Sequence, residues 1–189
     1  EEGNVTINEL HKIIFYEKPE LKFRRIIKSG FCNLPKGAWF LLKVVPSWLF
    51  GKLHWKRNLS NEIKKHFNVD IGGELLDAVE HHRSHAASAF HPSNFEEAAV
   101  LVVDGVGEFD TVSIWHGKDN KINKVFEIHF PDSLGLLYSA FTLYTGFKVN
   151  SGEYKVMGLA PYGEPAYVKL IKDNLIKINE DGSFKLNQE

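Results

Sequence analysis

The run AAVLVV, Ala98–Val103, which ends on Asp104-Gly105-Val106-Gly107, constrains the fold more than any other stretch of the chain. Six apolar residues without a polar interruption predict a strand buried on both faces, and the glycines after Asp104 stop it. Asp110–Trp115 then alternates like a return strand, and Asn123–Phe130 reads as a further edge strand. Upstream, Leu75–Val79 is short and apolar, and His82–Phe90 is alanine-rich and helical. Downstream, Ser133 is placed to cap a helix running to about Tyr144. A glycine-punctuated segment follows, then a helix over Glu164–Ile178 and a turn at Asp181-Gly182. Residues 71–189 therefore read as an α/β core.

The front of the chain differs. It offers a short strand at Lys12–Tyr16, a helix after Pro19, an apolar stretch at Ala38–Phe50 and a helix at Asn58–Phe67. The apolar stretch is too short to span a membrane, which takes about 20 residues, and Lys43 and Pro46 interrupt it. The favoured reading is a buried or cleft-lining helix kinked before Pro46; a surface-lying amphipathic helix is the alternative. Between Lys18 and Lys65 twelve Lys and Arg face only Glu20 and Glu62, so this block carries +10 in a chain of net charge −1. Lys and Arg fall between apolar residues, as on solvated helix faces, and no zinc-finger spacing or aromatic RNA-binding strand accompanies them. Residues 1–70 are thus expected to be a basic, mainly helical segment of the same domain, with no nucleic-acid partner.

With 43% apolar and 25% charged residues the chain is globular rather than disordered. One cysteine, Cys32, excludes an internal disulfide and a cysteine-only zinc site, and no secretory signal is visible, so a reducing cytoplasm is the expected location. The single methionine is Met157 and the chain starts at Glu1, which reads as a piece of something longer.

Three constellations carry possible chemistry. In EHHRSHAASAF, His81 and His85 are four apart and share one helix face, so both rings can address one metal ion; imidazole suits iron, zinc, copper or nickel. A surface histidine pair without a ligand is the plain alternative. In VLVVDGVGE, Asp104 would emerge at the edge of a sheet, where a carboxylate needs a metal or hydrogen-bond partner, and Gly105 and Gly107 allow backbone N–H groups to face an anion. An ordinary Asp-Gly hairpin turn explains the same residues equally well. In NSGEYKVMGLAPYG, Ser151, Gly152, Glu153 and Lys155 are candidates for a phosphate or nucleotide site, although the spacing of a Walker A loop is absent. A helix start with Ser151 as N-cap and Glu153 in the first turn accounts for part of it.

HHRSHAASAF, AAVLVVDGVGE and IHFPDSLGLLYSAFTLYTGFKVNSGEYKVMGLAPYG, in this order and spacing, resemble the N-terminal domain of the NodU/TobZ-like carbamoyltransferase family. FYEKPELKFRR, Phe15–Arg25, is similar to that family's upstream segment, so the likeness covers about residues 10–165. The resemblance implies a Kae1-like domain of the actin, hexokinase and Hsp70 superfamily, with α/β halves around a nucleotide cleft. It implies transfer of a carbamoyl group from carbamoyl phosphate, through a carbamoyl adenylate made with ATP, to a hydroxyl of a sugar or other small-molecule acceptor. By the same resemblance His81, His85 and Asp104 match metal ligands, with iron(II) or another divalent metal expected. Gly105, Gly107 and the Ser151-Gly152-Glu153-Tyr154-Lys155 segment match the wall of the nucleotide and phosphate cleft. His82 is expected off the ligand face. A homodimer is the assembly the resemblance leaves open.

The family's His-Asp-Ser-Ala motif, which carries a candidate base, has no counterpart in Glu1–Lys18. The later metal carboxylate and the C-terminal YrdC-like domain also lie outside the chain, so the expectation is an incomplete actin/hexokinase/Hsp70-like domain, inactive alone, whose catalytic base is elsewhere. The alternatives are a kinase or tRNA-modifying relative of the same superfamily, or a non-catalytic metal- or nucleotide-binding module. The tRNA-modifying relatives should show Ser-Gly-Gly-His where this chain has Ser151-Gly152-Glu153-Tyr154.

Overall fold

The computed structural model describes residues 5–188 and shows a mixed α/β chain in two compact units, Glu1–Ser84 and His85–Glu189. In the first unit, β1 (Ile13–Phe15) is followed by three helices, α1 (Pro19–Cys32), α2 (Lys36–Leu49) and α3 (Trp55–Phe67), before β2 (Leu76–Ala78) returns parallel to β1, with Ile13 opposite Leu76. Parallel pairing requires a crossover, and the basic helices supply it. Pro19 opens α1 at a position where its missing N–H costs no helical hydrogen bond. Asn68, at φ 55°, ends α3 in the left-handed region. The first two helices touch through Gly30 and Gly37, both buried; a Cβ on Gly37 would run into the Gly30 carbonyl. Trp48 is buried against Phe23, ring centroids 5.7 Å apart, and Phe15 stacks on Trp55 at 5.3 Å.

The sequence predicted a buried or cleft-lining helix over Ala38–Phe50; Trp48 does line a cavity, but the helix is not buried all round. Gly37, Leu41, Val44 and Trp48 form the inward stripe, while Trp39 is 67% exposed and Leu42 69%. The apolar residues encircle the helix, and its packing in this unit covers only one stripe. Pro46 lies inside α2, which continues to the Phe50 N–H donating to the Pro46 carbonyl at 3.0 Å.

The helix α4 (His81–Phe90) leads the chain into the second unit. There β3 (Glu97–Val103), β4 (Asp110–Lys118) and β5 (Lys121–His129) form an antiparallel sheet in that order. Ala86 and Phe90 pack with Val102, Trp115 and Ile122 in its core. The expectation of a strand buried on both faces is also corrected. Ala98, Val100 and Val102 face this core, whereas Leu101 is 64% exposed and Val103 52%. An all-apolar run cannot tell one covered face from two.

After the sheet come α5 (Leu134–Tyr144), α6 (Glu153–Leu159) and α7 (Val168–Asn174), and then a hairpin of β6 (Ile176–Ile178) and β7 (Phe184–Leu186). Ser133 caps α5 as its sequence indicated, its Oγ accepting from the Leu136 N–H at 3.0 Å. The helix expected over Glu164–Ile178 is shorter, because β-branched Ile176 and Ile178 pair across the Asp181-Gly182 turn, where Gly182 adopts φ 82°. Among the described residues no helix is long and apolar enough to cross a membrane.

Candidate functional site

Asp104 stands directly after β3, at the start of the loop joining it to β4. Its backbone N–H donates to the Thr111 carbonyl at 2.9 Å, continuing the strand pairing, so the side chain is held at the sheet's end. Oδ1 accepts from the Gly105 N–H at 2.6 Å, which leaves Oδ2 directed at His85, whose Nε2 lies 4.0 Å away. Both side chains are partly open to solvent. His81 sits one turn before His85 on α4, and His82 is buried. Four ångströms is too long for a hydrogen bond, but two ligands bound to one ion at about 2.0–2.2 Å can lie roughly that far apart. The donor set therefore fits a divalent metal.

The Asp-Gly turn reading is realised at the same time. Gly107 N–H closes the loop on the Asp110 carbonyl at 3.0 Å. Both glycine N–H groups are thus engaged inside the loop instead of facing outward. The loop is pinned from below by α5: Ser133, fully buried, donates from Oγ to the Gly105 carbonyl at 2.5 Å. Gly135 comes so close that a Cβ there would sit 2.7 Å from the Asp104 carbonyl oxygen and the Gly105 nitrogen.

The same helix carries the third motif. Ser139 Oγ donates to Glu153 Oε1 at 3.0 Å and Tyr138 to the Glu153 carbonyl at 3.1 Å. Ser133 and Ser139 are about 9 Å apart along the axis of α5, so one helix mounts both segments singled out in the sequence. Glu153 also accepts from the N–H groups of Asn150 (2.9 Å) and Gly152 (3.2 Å). The Asn150 bond, first among these, holds the carboxyl below the usual carboxylate range. Ser151 is not the cap: Gly152 holds that position with no side-chain capping bond, and the Glu153 side chain instead ties down the Asn150 and Gly152 N–H groups ahead of the helix. Lys155 is exposed, 6.0 Å from the Tyr154 ring centroid.

A second cluster escaped the sequence reading. Lys124 Nζ lies 2.8 Å from Asp110 and 2.7 Å from Glu127, and His129 Nε2 is 3.1 Å and 3.0 Å from the same two carboxylates. Burial alone pulls the Lys124 ammonium down, but hydrogen bonds to Asp110 and Glu127, and then their charges, outweigh it and raise its pKa. The Lys124 hydrogen bond lowers Glu127, against a smaller effect of burial. The group gathers because β4 and β5 pair with Asp110 opposite His129. Lys124, Glu127 and His129 lie within six residues on β5, and the β4–β5 register adds Asp110 to them. With Lys124 between its carboxylates, it is a structural ion-pair network.

The family described as "Carbamoyltransferase N-terminus" matches residues 1–189. The protein sll1178 of Synechocystis sp. is 51% identical over 189 residues, 98% of this chain and 30% of the relative. Nodulation protein NolNO of Sinorhizobium fredii is 34% identical, covering 84% of this chain and 23% of the relative. Nodulation protein NolO of Bradyrhizobium diazoefficiens is 34% identical, over 58% of this chain and 20% of its own length. The chain spans less than a third of the length of each of these relatives.

Proposed function

Because the chain belongs to the carbamoyltransferase family, we propose that it carries the metal-binding part of an O-carbamoyltransferase. The reaction is transfer of a carbamoyl group from carbamoyl phosphate, by way of a carbamoyl adenylate made with ATP in the whole protein, to a hydroxyl of a small-molecule or sugar acceptor. The domain is a portion of a Kae1-like fold of the actin, hexokinase and Hsp70 superfamily, working in the cytoplasm.

The observation that supports this reading is the approach of His85 Nε2 to Asp104 Oδ2 at 4.0 Å, with His81 one helical turn away. His81, His85 and Asp104 would hold iron(II) or a related divalent ion. Such an ion supplies positive charge for phosphate oxygens and polarises a carbonyl. The chain's own contribution is orientation. Gly105 N–H fixes one Asp104 oxygen so that the other is presented, and Ser133 fixes Gly105 in turn. Glu153 folds the second segment onto α5, which sets the exposed Ser151 and Lys155 on the mount shared with Asp104. We assign Gly105, Gly107, Ser151, Gly152, Glu153 and Lys155 to the wall of the nucleotide and phosphate cleft, Glu153 as its scaffold.

Manganese(II) titration followed by electron paramagnetic resonance tests the metal assignment. One bound ion per chain is expected, with affinity reduced at least about tenfold in His81→Ala, His85→Ala and Asp104→Asn, as for loss of a ligand or its support. Unchanged affinity in His85→Ala and Asp104→Asn would discard the site.

A further inference from the structure

Between Glu20 and Glu62 the chain has no acidic residue, while nine Lys and Arg fall there. This stretch holds most of α1, all of α2 and the start of α3. The packed stripe of α2 is Gly37, Leu41, Val44 and Trp48, and the side opposite to it is apolar as well. Trp39, Leu42 and Pro46, with Phe50 just past the helix, recur at steps of three and four residues and so form one line along it. All four are exposed, Phe50 to 86%. Lys36 and Lys43 flank this line, both exposed, and the Lys43 ammonium sits 4.9 Å from the Trp39 ring centroid.

An exposed apolar patch rimmed by polar residues marks an interaction surface. The charge around this one has a single sign, and that selects the partner. A second copy of the chain would set lysines against lysines. A nucleic-acid backbone would satisfy the cations and leave Leu42 and Pro46 in water. An anionic bilayer meets both demands: its headgroups attract nearby Lys and Arg, and the boundary with its acyl chains takes up Trp, Phe and Leu. With 14 residues α2 is too short to cross the hydrocarbon, which takes about 20, so its only available placement is along the surface.

We infer that the outer side of α2 is a docking surface for an anionic lipid bilayer, with Trp39, Leu42 and Phe50 entering the headgroup boundary and Lys36 and Lys43 engaging lipid phosphates. Such docking does not depend on the carbamoyltransferase reading. Co-sedimentation of the chain with vesicles of phosphatidylcholine, alone or mixed with phosphatidylglycerol, measures it. Saturable binding to the mixed vesicles is expected, at least about tenfold weaker on the neutral ones and falling as salt rises. Replacing Lys36→Gln together with Lys43→Gln should weaken it about tenfold or more, and Trp39→Gln together with Leu42→Gln by a similar factor. Bromine-labelled lipid should quench tryptophan fluorescence in the parent and much less in Trp39→Phe. Circular dichroism should show all these variants folded, because the side chains changed are exposed. No saturable binding to mixed vesicles, equal binding to both kinds of vesicle, or undiminished affinity in both folded double variants overturns the proposal. A chain that forms a dimer in ultracentrifugation and loses it with Trp39→Gln and Leu42→Gln carries a second copy on this face, and one that binds duplex RNA but not vesicles has a nucleic-acid surface; either result overturns it too.

Discussion

Asp104 faces His85 because its other oxygen is already satisfied by the neighbouring Gly105 N–H, and that arrangement depends on Gly135. The first turn of α5 lies against the Asp104-Gly105 peptide, and a methyl group at 135 would meet backbone atoms at 2.7 Å. Backbone cannot swing aside as a flexible side chain can, so the helix or the loop has to move. Gly135→Ala is therefore expected to cost about 1–3 kcal/mol, as for overpacking, even though alanine is the better helix former. Urea denaturation reads the loss, and a variant as stable as the parent would show that α5 does not brace the loop. At this scale the sequence was informative where chemistry is local: the Ser133 cap, Pro19 at a helix start and the four-residue spacing of His81 and His85 follow from neighbouring residues alone. The role of Glu153 did not, because its partner Ser139 lies 14 residues away and belongs to another helix.

At the scale of elements, β4 and β5 hold the ion-pair network, and its pH response follows from the signs of two shifts. Glu127 is lowered in the folded state, so its contribution is present above the unfolded value near 4.3 and fades as pH falls through the lower folded value. Lys124 is raised, so its contribution is complete below the unfolded value near 10.4 and is lost as pH rises through the higher folded one. Between these limits the network is intact. Lys124→Met leaves Asp110, which is buried, without its ammonium partner and should cost about 1–3 kcal/mol at pH 7. It should also flatten both the acid and the alkaline arms of the stability curve measured by chemical denaturation. A variant whose curve keeps the parent's shape would show that Lys124 does not organise the cluster. Strands and helices were legible here, but strand register and the covering of faces were not. The run Ala98–Val103 looked doubly buried because six apolar residues satisfy either arrangement, and the apolar residues around α2 likewise do not say which stripe packs.

At the scale of the molecule, the two units differ in how they are held. The second has a contiguous core of Ala86, Phe90, Val102, Trp115 and Ile122 with a nine-residue central strand. Among the described residues the first has Trp48, Ile71 and Leu76 as its buried apolar side chains, while Trp39 and Leu42 on α2, and Phe50 just after it, are exposed. Apolar area removed from water sets most of the driving force, at about 25 cal/mol per Å², so the first unit should open at lower cost. Opening of separate compact units need not be one cooperative event. Native-state hydrogen exchange in rising urea distinguishes the cases. Amides of α1 are expected to exchange through an opening that becomes accessible at lower urea than the opening that exposes the β4 amides. If both sets merge into one isotherm from the lowest urea onward, with the same slope, the chain unfolds as a single cooperative body and the division at Ser84 carries no energetic meaning.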